Sequence, residues 1–277
     1  MLALAKLFMT GVEPLNAALP AGIPYGSLTL ILGPGGVGKS VMMANLSWNF
    51  LRSGDGAVVY VTFDDSPDAL LALYEFFGWD VGKYVREGRF KIVDCFSFRL
   101  GPFKRPVEGV VRELEVRDLS SLIYAVSDAA SSARGSTLVL IDSLNELVLK
   151  FEVSQFVDFI KTLRATVGKG LGNIILATVH TTTDTFQEVV NYIEYLVDGI
   201  VETRLNPSLI EYGIPVKELM VRKMRGVPTN PIWIPYVISD SGIAAVDMQK
   251  LAKVLQRKVQ ELEALKKIAT GSPGSQG

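Results

Sequence analysis

The sequence predicts an α/β fold built on a mainly parallel central sheet flanked by helices. Three observations predict it. Apolar runs of strand length alternate with segments of helical spacing up to about Tyr195. The glycine-rich stretch Gly33-Pro34-Gly35-Gly36-Val37-Gly38-Lys39-Ser40 stands between one such run and a helix. Of the 277 residues, 48% are hydrophobic, enough for a large core.

Taken in order, Leu15, Ala18 and Leu19 suggest one short helical turn, and Pro and Gly punctuate the approach to the first strand. Ser27–Leu32 reads as a buried strand, and Val41–Leu51 as a helix stopping near Gly54. Gly56–Phe63 is a second strand, ending at Asp64-Asp65-Ser66-Pro67. Ser66 suits a helix cap and Pro67 a first helical position, and Ala69, Leu70, Leu73, Phe76 and Phe77 continue at helical spacing. Phe90–Phe96 is a third strand, and residues 97–117 read as a surface excursion. Asp118 begins a helix through about Ala133, and the strand Thr137–Ile141 ends on Asp142. Residues 154–168 form an amphipathic helix, Asn173–Val179 is a fifth strand followed by His180, and a helix spans about Gln187–Tyr195. Segments 197–205, 215–224 and 231–238 then read as an antiparallel extension at one sheet edge.

The last part, Asp247 to Ile268, is a charged amphipathic helix with Met248, Leu251, Leu255, Leu262 and Leu265 near heptad spacing, broken by Lys258. It either folds back on the body or binds a partner. Residues 271–277 are Gly/Ser/Pro-rich and expected to be disordered. The chain thus divides into a body, 1–246, and a C-terminal helix and tail, 247–277.

Composition narrows the function. The 28 basic and 29 acidic residues set no net field toward nucleic acid or an anionic membrane. One cysteine, Cys95, excludes an internal disulfide framework and fits a reducing, cytoplasmic setting. It lies in an apolar run and reads as a packing residue. Lys6 interrupts the apolar start, so no signal peptide is expected, and no apolar run is long enough for a membrane span. The single His180 leaves little scope for a zinc site.

The glycine-rich stretch fits G-x-x-x-x-G-K-[ST], a phosphate-binding loop. Glycines let backbone N–H groups turn inward around phosphate oxygens, Lys39 would carry an ammonium to the outer phosphates, and Ser40 would offer a hydroxyl to Mg2+. The helix opening at Val41 directs its positive end at the same anion. Residues 33–41 are therefore the candidate nucleotide contacts.

Other groups follow strand ends, where ligands of such sheets bind. Asp142 closes an apolar strand and is the candidate Mg2+ carboxylate, with Ser40. Asp64 and Asp65 either orient a water on the γ-phosphate or belong to the turn before the next helix. His180 is either a phosphate sensor or a hydrogen-bonded strand end. Lys223-Met224-Arg225-Gly226 is either a solvated basic turn or a cationic finger reaching a neighbour's nucleotide.

These residues resemble the KaiC-like branch of the RecA superfamily of ATPases. The likeness runs from about Thr10 to Val246. It includes Thr10-Gly11-Val12 with Leu15-Asn16, Gly22-Ile23-Pro24-Tyr25-Gly26-Ser27 before the loop, Val61-Thr62-Phe63-Asp64-Asp65, Asp118-Leu119-Ser120-Ser121-Leu122, Leu140-Ile141-Asp142-Ser143, Val197-Asp198-Gly199-Ile200, and Lys223-Met224-Arg225-Gly226. The last is the most discriminating. The resemblance implies a RecA-like core, ATP and Mg2+ as cofactors, and homohexameric rings with ATP between subunits. It implies that Lys223 and Arg225 act on the neighbour's γ-phosphate.

The family usually carries two adjacent glutamates where this chain has Asp64 and Asp65. The shorter aspartates would leave the attacking water poorly placed, and slow hydrolysis is expected. The clock-type relative has two such domains and this chain one, so a clock role does not carry over. Two biological readings follow. One is an ATPase acting on single-stranded DNA through the 96–105 loop, where Phe96, Phe98 and Phe103 interleave with Arg99, Lys104 and Arg105. Thr181–Phe186 contains no Lys or Arg and is not a basic DNA-binding loop. The other is a nucleotide-gated scaffold whose C-terminal helix recruits a protein.

Overall fold

A computed structural model describes residues 6–133 and 135–269. Its centre is a ten-stranded sheet. In chain order the strands are β1 (Leu7–Phe8), β2 (Ile23–Pro24), β3 (Leu28–Gly33), β4 (Ala57–Thr62), β5 (Phe90–Asp94), β6 (Val110–Glu113), β7 (Thr137–Asp142), β8 (Ile174–His180), β9 (Gly199–Leu205), β10 (Lys217–Met224), β11 (Ile234–Ser239) and β12 (Gly242–Ala245). β1 and β2 form a small separate antiparallel pair, and the main sheet runs β12-β11-β10-β9-β3-β8-β7-β4-β5-β6. The helices in chain order are α1 (Glu13–Ala18), α2 (Lys39–Arg52), α3 (Pro67–Phe76), α4 (Gly82–Arg86), α5 (Leu119–Ser131), α6 (Asn145–Lys150), α7 (Val153–Leu163), α8 (Asp184–Ile193), α9 (Pro207–Ile210) and α10 (Met248–Ala269). From β9 to β6 all neighbours are parallel, whereas β10, β11 and β12 add antiparallel strands.

The apolar runs explain the parallel core. Every residue of β3, β4 and β7 is buried, as strands covered on both faces require. In β4, Val58 and Tyr60 join one core with Met42, Met43 and Leu46 of α2 (Lys39–Arg52). Val59 and Val61 join the other, with Leu122 of α5 (Leu119–Ser131) and Phe156 of α7 (Val153–Leu163). Each fully buried Val or Leu contributes roughly 1.5–3 kcal/mol relative to exposure. Asp118 caps α5, accepting from Ser121 N, and Ser66 caps α3 (Pro67–Phe76), with Pro67 opening it.

Several expectations are corrected. β9 joins the antiparallel extension to the parallel core: it pairs antiparallel with β10, as expected, but also runs parallel to β3. The helix α8 (Asp184–Ile193) returns the chain to the amino end of the sheet before β9, as a parallel crossover requires. The third strand stops at Asp94, whose Oδ1 accepts from Phe96 N and Ser97 N and turns the chain. The excursion after it holds a 3-10 turn, Ser97–Phe103, and the edge strand β6. The helix expected over 154–168 ends as α-helix at Leu163 and widens over Arg164–Gly170. Beyond these, the chain forms a short helix over Asn145–Lys150. The final helix, Met248–Ala269, half-buries Leu251, Leu255 and Leu262, with Met248, Val254, Val259 and Leu265 exposed. The expected disordered segment 271–277 lies outside the described residues. Cys95 is buried, and burial pushes its thiol up, in keeping with a packing role.

Candidate active site

Four strand ends stand side by side above the sheet. Gly33 of β3 pairs with His180 of β8, and Asp142 of β7 pairs with Thr62 of β4, two residues before Asp64. Register alone gathers these distant groups at one edge.

Two loop glycines leave no room for a side chain. Gly33 has φ +154°, and a Cβ there would meet Thr203 Oγ1 at 2.2 Å and Thr203 O at 2.4 Å. Gly38 has φ +92°, and its Cβ would meet Ile238 Cδ1 at 2.6 Å. Gly38 caps α2 with no side-chain acceptor, leaving the first-turn N–H groups directed at the loop. Pro34, Gly35 and Gly36 lie at the open rim, while Val37 is buried and its carbonyl accepts from Tyr236 OH at 2.7 Å.

Lys39 is buried. Its Nζ donates to Gly33 O and Pro34 O, each at 2.8 Å, and lies 3.1 Å from His180 Nδ1. Burial lowers its pKa from 10.5 to about 8, partly opposed by Asp142 and Asp64. Burial, and then the Lys39 charge, hold His180 below its ordinary value. A neutral imidazole can therefore accept from the ammonium through Nδ1. Asn145 holds the His180 backbone from both sides: Oδ1 accepts from His180 N at 2.8 Å, and Nδ2 donates to His180 O at 3.1 Å.

Asp142 is 8% exposed. Its Oδ2 accepts from Tyr60 OH at 3.0 Å and its Oδ1 from Thr178 Oγ1 at 2.5 Å, so the carboxylate orientation is fixed. Burial, and the adjacent Asp142, raise the Tyr60 pKa and keep the phenol a donor. A cavity of about 300 Å³ is lined by Asp142, Ser40, Val41, Tyr60, Asp64 and Asp65. Among the described residues no group of three or more His, Cys, Asp or Glu converges on a metal. One carboxylate and one hydroxyl suit Mg2+, a hard cation that is completed by water and phosphate oxygens rather than an all-protein cage.

Asp64 and Asp65 are exposed at the cavity rim. Ser66, not either aspartate, caps α3, so neither carboxylate is taken up in starting the helix. Thr62 Oγ1 donates to Asp65 O at 2.6 Å and fixes the turn. Burial, then Asp142 and Asp64, raise the Asp65 pKa.

The family model for the KaiC ATPase matches residues 8–264. The chain belongs to the KaiC family of ATPases. It is 30% identical over 240 residues to a UPF0273 protein of Thermotoga maritima, covering 86% of this chain and 95% of that one. It is 31% identical over 234 residues to a UPF0273 protein of Aeropyrum pernix, covering 84% and 91%. A solved KaiC-like protein of Pyrococcus horikoshii shares the fold, with a TM-score of 0.69 at 19% identity over 88% of this chain and all of that one.

In this KaiC-family chain, Lys223 and Arg225 do not join the crevice. Met224 pairs with Gly199, which pairs with Thr29 near the start of β3, so the basic pair sits at the sheet end opposite Gly33. Lys223 Nζ donates to Glu194 O at 2.7 Å, and Arg225 Nη2 to Tyr195 O at 2.6 Å. Sequence reasoning missed Tyr60, Thr178, Asn145, Thr203 and Tyr236. Each acts across a long sequence separation and belongs to no local motif. No helix among the described residues is long and apolar enough to cross a membrane.

Proposed function

We propose that this KaiC-family chain binds ATP with Mg2+ in the crevice over β3, β8, β7 and β4 and hydrolyses it slowly. The observation that carries this reading is the single cavity shared by Ser40, Asp142, Asp64 and Asp65, with Lys39 and His180 in contact beside it. The loop N–H groups and Lys39 hold the phosphates, and Ser40 and Asp142 hold Mg2+. The metal, when bound, draws charge from the phosphoryl oxygens. Asp64 and Asp65 orient water for attack. Being one methylene shorter than glutamate, they leave it misplaced, and an error of about 1 Å can cost on the order of 100-fold in rate.

The sheet layout supports a ring, with a hexamer the expected size. Lys223 and Arg225 lie away from their own crevice, and their use requires a neighbouring copy whose nucleotide they reach. The test is ATP turnover and oligomeric mass on one preparation, wild type beside Asp64→Ala/Asp65→Ala and Lys223→Ala/Arg225→Ala. Loss of turnover in both, with ATP still bound, is the expected result. Turnover unaffected by either overturns the assignment.

Two features favour a partner-recruiting role, cytoplasmic in setting, over one on single-stranded DNA. In the 96–105 loop, Arg99 pairs with Glu146 at 2.5 Å and Lys104 pairs with Glu113, so two of its three cations are already answered. In the segment 247–277, proposed as the recruiting element attached to the body 1–246, the helix exposes Val254 and Val259. Oligonucleotide binding with a steep salt slope would reverse this preference.

A further inference from the structure

The Val197-Asp198-Gly199-Ile200 motif has no task in the chemistry above. Asp198 is 3% exposed, at the turn from α8 into β9. Its carboxylate collects donors from separate elements. Oδ2 accepts from Leu28 N at 3.0 Å and Arg164 Nε at 2.9 Å, and Oδ1 accepts from Arg164 Nη2 at 2.8 Å. Lys169 Nζ is 3.5 Å from Oδ1, and Arg225 Nη1 is 4.0 Å.

The backbone of Asp198 faces the same two elements. Its N–H donates to Leu28 O at 2.8 Å, and its carbonyl accepts from Arg225 N at 2.8 Å. A Cβ at Gly199 would meet Thr29 Oγ1 at 2.5 Å and Met224 Cε at 2.6 Å, so the absence of a side chain there lets Thr29 and Met224 close over the strand. The β10 register also shifts by one residue at Arg222, immediately before the basic pair. Such bulges re-aim the side chains that follow.

A buried carboxylate needs a partner, and the two-pronged Arg164 contact supplies it. Asp198 therefore does not need Arg225 for neutralisation. The Arg225 side chain stays 47% exposed, held by one carbonyl and a long charge contact, while its backbone is clamped. We propose that Asp198 is a positioning residue for Arg225, fixing the base of the cationic finger and drawing its head into place, while Arg164 prevents collapse into a closed ion pair. This rests on the reading of Arg225 as a finger acting on a neighbour's nucleotide.

The test is a double-mutant cycle of Asp198→Asn and Arg225→Ala, reading kcat and KM for ATP, oligomeric mass and melting temperature. Asparagine keeps an oxygen for Leu28 N–H and removes the charge. Asp198→Asn should lower kcat roughly tenfold with KM within about twofold, and add no loss in the Arg225→Ala background. A kcat for Asp198→Asn within twofold of wild type, or an equal further loss in the Arg225→Ala background, overturns the proposal and leaves the finger standing. A normal kcat in Arg225→Ala alone overturns the finger reading and this inference with it. Should Asp198→Asn fail to fold, Arg164→Gln/Lys169→Gln takes its place, removing both nearer cations. Freed of both, Asp198 captures Arg225, so kcat should fall at unchanged KM and again show no additivity with Arg225→Ala; a kcat equal to wild type, or additive loss, overturns the proposal.

Discussion

Lys39 Nζ lies 3.1 Å from His180 Nδ1, an ammonium facing a neutral imidazole across the phosphate loop. Protonating His180 would set two cations against each other. Its folded pKa lies below the ordinary 6.5. On acidification the unfolded chain binds this proton first, so stability is lost as pH falls below 6.5. Melting temperature should begin to decline as pH falls below about 6.5, before most carboxylates titrate. His180→Gln should flatten that segment of the profile.

Lys39 titrates near 8 when no phosphate faces it. ATP affinity should therefore weaken as pH rises past that value, by up to about tenfold between pH 8 and 9. Lys39→Ala should bind weakly throughout, with no such slope. Equilibrium titration with a fluorescent ATP analogue measures both.

Wild-type turnover should stay under roughly 1 s⁻¹ without a partner. Restoring the longer side chains with Asp64→Glu/Asp65→Glu should raise kcat at least tenfold while leaving ATP affinity within about twofold, since the reach to water changes and the phosphate contacts do not. Phosphate release under saturating ATP measures this. Unchanged kcat would remove side-chain length as the reason for slowness.

Subunit mixing tests the basic pair directly. On the proposed reading, Lys39→Ala should keep the finger and lose the nucleotide, while Lys223→Ala/Arg225→Ala should keep the nucleotide and lose the finger. Neither should turn over ATP alone. Mixed and allowed to exchange, they should recover a measurable fraction of wild-type activity.

Gly33→Ala would drive a Cβ into Thr203 and should abolish ATP binding and lower stability by more than about 2 kcal/mol. Tyr236→Phe is milder. It removes the hydroxyl bonded to Val37 O and should cost about 1 kcal/mol, seen as a melting shift of a few degrees.

Much of the fold was legible because strands covered on both faces must be apolar throughout, and helices between them must be amphipathic. The loop and Asp142 were legible because their chemistry fixes both residue type and position at a strand end. What was not legible depends on chain direction and distant partners. Nothing local in Gly199–Leu205 says that it runs with β3 rather than against it. The preceding helix decides that. Val110–Glu113 and Gly242–Ala245 are too short to declare a period. Tyr236 reads as an ordinary strand aromatic until β11 brings its hydroxyl to Val37, and Asn145 reads as a helix start until its amide closes on His180.

Gly33 and Met224 lie toward opposite ends of the sheet, with β3 and β9 between them. If these two ends carry the proposed phosphate cradle and its answering cations, a lone chain would hold half of a catalytic centre. Such a division leaves a signature in reaction order. At high dilution the rate should rise faster than linearly with chain concentration, and it should become proportional to concentration once every cradle has met a neighbour's basic pair.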